Sequence, residues 1–321
     1  MSVLSDGVDT VLEATVVGSF SRIGYDLRSR LEHWPPGSPH CLAGRTVRFR
    51  VALKRENNPR LYAMYLRTAA ESGQAASPEM RTTPGGTLFA LIQSATIPAP
   101  TVLVCAMDAK TTLTEDPYGH TGTLLHPLGW NVMAIDLPCH GADQRNGEPA
   151  QLDGWRARVE HGEDIVTDWR RRVDDVLKYL VDAGIAEPNR FVAEGTSRGG
   201  YMACQAAAGN PAIRAVAAYS PVTDLLALRE FDGMKDNALA HELSLVNVAD
   251  ALADRPLWIT IGSQDARVGT DGAIAFARRV TAAADKRQQD SNVELHVMPT
   301  KGHSSTNAEH EQVVAWILGL K

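Results

Sequence analysis

Phe191-Val192-Ala193-Glu194-Gly195-Thr196-Ser197-Arg198-Gly199-Gly200-Tyr201 is the stretch that decides the fold of this chain. Residues 190–193, apolar after Arg190, read as a short buried strand, and the small-residue run 201–208 reads as a helix. Between them stands G-x-S-x-G, with Ser197 at its centre. A nucleophile perched on a sharp strand-to-helix turn needs neighbours without bulk, because the backbone is strained and packs closely on adjacent elements. Gly195 and Gly199 supply that room. The turn aims Ser197 Oγ outward and sets its base at a helix N-terminus, where free N–H groups stabilise negative charge. In a chain with 26 glycines the pattern could be incidental; the flanking strand and helix argue for a nucleophile.

A hydroxyl is a weak nucleophile until a base takes its proton. In this arrangement an acid and then a histidine follow the serine, each just beyond a strand. The apolar run 256–261 breaks at Gly262-Ser263-Gln264-Asp265, which places Asp265 at a strand's C-terminal end, where open α/β sheets carry their functional groups. Asp224, in Ser220-Pro221-Val222-Thr223-Asp224, is the runner-up. Of ten histidines, His303 follows the alternating strand 293–298, and Gly302 lets its loop turn the ring toward the serine. His296 lies inside that strand, and His310 lies in the final helix pattern. His303 would take the Ser197 proton, while Asp265 would fix the ring's tautomer.

One oxyanion donor is expected from the backbone N–H after the nucleophile, Arg198. The other should come from the loop after the sheet's third strand, read here as residues 101–105. That points to the N–H of Asp108, with Met107 as the alternative, and requires the Asp108 carboxylate to point away. His140, which follows another strand, Trp155 in the loop 137–159, and Tyr201 are candidate substrate-pocket residues. Trp155 reads equally well as an anchor for its loop.

From about residue 45 onward the chain resembles α/β-hydrolases of the dienelactone hydrolase and prolyl-oligopeptidase-like branch. The carrying segments are Ala134-Ile135-Asp136-Leu137-Pro138-Cys139-His140-Gly141, residues 195–200, 217–224 and 262–268, and Lys301-Gly302-His303. The resemblance implies a mostly parallel, twisted central sheet with helices on both faces. It also implies a serine hydrolase with Ser197, Asp265 and His303 as its triad. The His-Gly pair that many relatives carry at the oxyanion loop is replaced by Ala106-Met107-Asp108. No β-propeller is expected within these 321 residues.

A formal charge of −6 with scattered basic residues gives no reason to expect nucleic acid. Four cysteines, Cys41, Cys105, Cys139 and Cys204, show no metal or redox spacing, and neither a metal nor a cofactor is expected. No stretch has membrane-spanning length and no leader pattern opens the chain, so a cytoplasmic location away from membranes is the expectation. Residues 1–44 read as an N-terminal helical extension, broken at Pro35 and available for homodimerisation; residues 45–321 read as the catalytic domain. Residues 47–53 and 86–92 read as its early strands, and 221–255 as a small helical cap insertion.

The expected activity is therefore cleavage of a small or medium carboxylic ester through an acyl-enzyme. Thioesters, amides, peptides and C–C bonds stay open, because one triad serves them all. A non-catalytic ligand-binding protein of the same fold is the competing class.

Overall fold

The computed structural model describes residues 77–300 and 302–320, together with the backbone of three strands nearer the N-terminus. The chain divides into two compact units, residues 1–65 and 66–321. In the first, β1 (Ser2–Asp6), β2 (Asp9–Val16) and β3 (Val47–Leu53) form an antiparallel sheet in the order β1-β2-β3. Two corrections follow. The start of the expected helical extension is a strand pair, and β3 pairs with β2 along its whole length instead of opening the central sheet. Residues 12–16 alternate apolar and polar, with Val and Thr in the 9–16 run, which is strand chemistry. The helix expected around residues 18–31, Pro35 and Cys41 lie outside the described residues.

The second unit runs β4 (Glu79–Thr82), β5 (Leu88–Ile92), β6 (Ala99–Cys105), α1 (Ala109–Thr114), α2 (His120–Leu125) and β7 (Asn131–Ala134). It continues with α3 (Gln151–Glu160), α4 (Thr167–Asp182), β8 (Ala186–Thr196), α5 (Arg198–Gly209) and β9 (Ile213–Tyr219). The short α6 (Ala238–Glu242), β10 (Leu257–Gly262), α7 (Thr270–Lys286), β11 (Val293–Met298) and α8 (Asn307–Leu318) complete it.

Eight strands form one sheet in the order β11-β10-β9-β8-β6-β7-β5-β4. β5 runs antiparallel to both β4 and β7; the other pairs are parallel. The central strands are mostly apolar where they are covered on both faces, with Thr101 and Glu194 as buried polar exceptions. Residues 102–105, 191–193 and 215–219 are buried, and α4 contributes Trp169, Val173, Val176, Leu177 and Leu180 to the same core.

The strand order places the site. After β6 the chain crosses to β7 on one side, and after β8 it crosses to β9 on the other. The loops beyond β6 and β8 therefore diverge at the C-terminal strand ends, the position where open α/β sheets carry their functional groups. Between β9 and β10, residues 225–252 form short turns and α6. Leu225, Phe231, Leu245 and Leu252 are buried in the main core, so much of this insertion packs on the sheet.

Candidate active site

Ser197 sits between the last residue of β8 and the first of α5 with φ 59° and ψ −117°. A non-glycine residue there is strained, and such strain persists only where the surroundings over-determine it. They do here. Ser197 N–H donates to Tyr219 O at 2.8 Å, and Ser197 O accepts from Val222 N–H and Tyr201 N–H, both at 3.1 Å. A methyl group at Gly195 would lie 2.5 Å from Cys105 O, and one at Gly199 would strike the same carbonyl. Both glycines are thus required for β8 and α5 to close on β6.

His303 and Asp265 form a hydrogen-bonded pair on the loops that follow β11 and β10. Asp265 Oδ2 accepts from His303 Nδ1 at 2.8 Å, with the Asp265 side chain fully buried and that of His303 partly open. Asp265 Oδ1 is held by the N–H groups of Arg267 (2.9 Å) and Val268 (3.2 Å). The loop itself is pinned, because Thr270 Oγ1 donates to Gly262 O and accepts from Asp265 N–H. Gly262 matters for a different reason: a side chain there would sit 2.7 Å from Gly302 O, in the loop that carries His303. Asp224 is spent elsewhere. Its carboxylate accepts from Leu226 N–H and caps a local turn.

In the loop after β6 the two oxyanion alternatives differ in what they already bond. Met107 N–H already donates to Thr112 Oγ1 at 2.9 Å, which removes it as a donor. Asp108 caps α1, its carboxylate accepting from Thr111 N–H at 3.0 Å. Burial opposes its ionisation, but the Thr111 contacts prevail and hold the carboxyl below its ordinary pKa. Its charge is turned into the helix start, as the site requires. Asp136, which sequence reading did not single out, fixes this loop. It accepts from Ala109 N–H and Ala142 N–H, both at 2.7 Å, and so ties the loops after β6 and β7 together.

Comparison with known proteins adds to this geometry. The prolyl oligopeptidase family (Peptidase_S9) matches over residues 171–319. Comparison with curated protein sequences gives no match. A putative dipeptidyl aminopeptidase IV from Bacteroides ovatus superposes with TM-score 0.56 and 18% identity over 75% of this chain and 35% of its own. An acylaminoacyl peptidase from Pyrococcus horikoshii gives TM-score 0.55 and 14% identity over 77% and 41%. A cold-adapted esterase from an Arctic intertidal metagenomic library gives TM-score 0.55 and 17% identity over 76% and 93%. This chain has the α/β-hydrolase fold. It spans well under half the length of the two peptidases and nearly all of the esterase.

On this α/β-hydrolase scaffold the remaining candidates take different places. Trp155 is wholly buried; its Nε1–H donates to Pro138 O at 2.6 Å, and its ring packs beside Tyr201. Trp155 stands on α3, not in a loop as expected, and ties that helix to the loop after β7. Tyr201 is also wholly buried, donating to Leu243 O at 2.8 Å, so the expected pocket role of both residues gives way to packing behind the site. Apolar surface around a hydroxyl or indole N–H is satisfied equally well by a core, and sequence does not separate the two. His140 stays at the site: Arg198 Nη1 donates to its Nε2 at 3.2 Å, and its Nδ1–H donates to Pro138 O at 2.8 Å. Burial pushes the His140 pKa down to about 4, so the ring is neutral near pH 7. His310, by contrast, is locked in the core between Thr121 Oγ1 and Ser305 Oγ. His296 stacks on Trp258. Lys301 lies outside the described residues.

Proposed function

We propose that this α/β-hydrolase-fold chain is a serine hydrolase that cleaves small or medium carboxylic esters. The pairing of His303 Nδ1 with Asp265 carries the reading. An ionised carboxylate only accepts, so the proton resides on Nδ1 and the Nε2 lone pair is left to act as a base. Ser197 Oγ attacks the ester carbonyl carbon while His303 Nε2 takes its proton. The carbonyl π pair moves onto oxygen, held by the N–H groups of Arg198 and Asp108. Collapse breaks the C–O bond, and the departing alcohol takes the proton from His303. Water then repeats the sequence on the acyl-enzyme, releasing the acid and restoring Ser197.

Ester cleavage is supported by the likeness to the cold-adapted esterase, most of whose chain superposes on this one. Peptide cleavage is the second reading, supported by the prolyl oligopeptidase match and by the two peptidases. Labelling with a fluorophosphonate, followed by peptide mapping, tests the common step. A single adduct on Ser197 that disappears in His303→Ala is expected. A folded protein with no adduct overturns the reading. Matched p-nitrophenyl esters and p-nitroanilides then separate the two substrate classes.

A further inference from the structure

The proposed hydrolysis uses only the backbone of Arg198 and leaves its guanidinium without a task. Nη1 donates to Gln151 Oε1 (2.9 Å) and to His140 Nε2 (3.2 Å), and Nη2 donates to Met107 Sδ (3.1 Å). All three acceptors are neutral. Among the described residues no carboxylate pairs with this cation. Glu230, the acid whose field reaches it, is engaged by Arg267 in a two-pronged pair at 2.8 and 2.9 Å. A partly buried arginine normally faces a carboxylate, because neutral acceptors only partly offset the loss of water. Of its five N–H donors, Nε–H and one on Nη2 have no protein acceptor among the described residues.

The direction of the side chain is equally informative. Met107 and His140 stand on the loops that follow β6 and β7, and Gln151 opens α3, the helix that follows β7. In the sheet those strands lie on one side of β8, whereas β10 and β11, which carry Asp265 and His303, lie on the other. A leaving group must face His303 to receive its proton. The guanidinium therefore stands on the opposite flank, with the oxyanion donors, where the acyl part of a substrate belongs.

We propose, resting on the hydrolase reading, that the Arg198 side chain binds a carboxylate on the acyl part of the substrate, so that the preferred esters are half-esters of dicarboxylic acids. Two donors on one planar group suit a carboxylate, and the anion would supply the missing counter-charge. The carboxylate makes and breaks no bond; it orients the ester carbonyl between Ser197 and the oxyanion donors. A neutral acyl chain would leave the cation half-desolvated and unpaired, so selectivity arises from both attraction and penalty.

The test compares the mono-p-nitrophenyl esters of succinic, glutaric and adipic acids with p-nitrophenyl butanoate, pentanoate and hexanoate. At least one half-ester should exceed its neutral partner in kcat/KM by about tenfold or more. Arg198→Gln should bring that ratio to one or below, and Arg198→Lys, which keeps the charge and loses the planar fork, should fall between. A purely structural arginine would alter stability and leave the ratio unchanged. Wild-type enzyme that favours the neutral partner throughout overturns the proposal, as does a preference that survives Arg198→Gln. Fluorophosphonate labelling separates the two levels. Labelled Ser197 without the preference removes only the carboxylate site; an unlabelled, folded protein removes the hydrolase reading and this proposal with it.

Discussion

Asp265 Oδ2 meets His303 Nδ1 at 2.8 Å across 38 residues of chain because β10 and β11 run parallel in register, from Leu257 beside Val293 to Gly262 beside Met298. Both loops therefore emerge at the same sheet end. Asp265→Asn keeps the shape but offers an N–H or a weaker neutral acceptor, which disturbs the tautomer and the stabilisation of the imidazolium. Turnover should drop about 10³- to 10⁴-fold with the fold intact by circular dichroism. Asp224→Asn should leave kcat within a few-fold of wild type. A larger loss at Asp224 than at Asp265 would reverse the assignment.

Ser197 carries backbone strain that glycine would not. At φ 59° and ψ −117° a Cβ is unfavourable, so Ser197→Gly should be more stable than Ser197→Ala by about 1 kcal/mol. Both variants should be inactive toward esters. Urea midpoints at equal slope give the comparison; equal midpoints would mean that the turn is not strained.

The legibility of this chain followed local backbone chemistry. The candidate residues Ser197, Asp265 and His303 were legible because each stands just past a strand pattern and beside glycines, and at Gly195, Gly199 and Gly262 the packing leaves no room for a side chain. Trp155 and Tyr201 could not be assigned, since an amphipathic aromatic in a loop or helix fits a core as well as a cleft. Asp136 stayed hidden because its partners are backbone N–H groups of residues 109 and 142, which no side-chain pattern announces. Strands β1 and β2 carry only a short signal, the apolar–polar alternation of residues 12–16, next to a glycine-flanked segment 18–24 whose pattern fits a helix entry.

Gly199 tests the elbow from its packing side. An alanine methyl there strikes the Cys105 carbonyl, which is backbone in the sheet centre and has nowhere to move. Gly199→Ala should cost about 3 kcal/mol or prevent soluble expression. Gly147→Ala is the control, because nothing lies within 4 Å of a methyl there and only its φ of 82° opposes the change. That variant should cost about 1 kcal/mol. Similar losses at both sites, read as thermal midpoints, would show that space at residue 199 is not limiting.

Glu194 makes the stability of the fold depend on pH. It is 1% exposed in β8 directly before Gly195, and its Oε1 has no hydrogen-bond partner. Burial pushes its pKa well above the ordinary carboxylate value, against a smaller opposing effect from Thr121. The folded protein therefore holds this proton at pH values where the unfolded chain has released it. Between the ordinary and the raised pKa the native state binds more protons, so stability falls as pH rises through that window; below the ordinary pKa the penalty is absent. Glu194→Gln has nearly the same shape and cannot ionise. Its stability relative to wild type should therefore increase as pH rises from the ordinary carboxylate range toward the raised pKa. His310, whose pKa burial lowers to about 3, contributes equally to both proteins and cancels in the difference. Chemical denaturation of the pair across that range decides the matter: parallel profiles would place a charged, compensated carboxylate at residue 194.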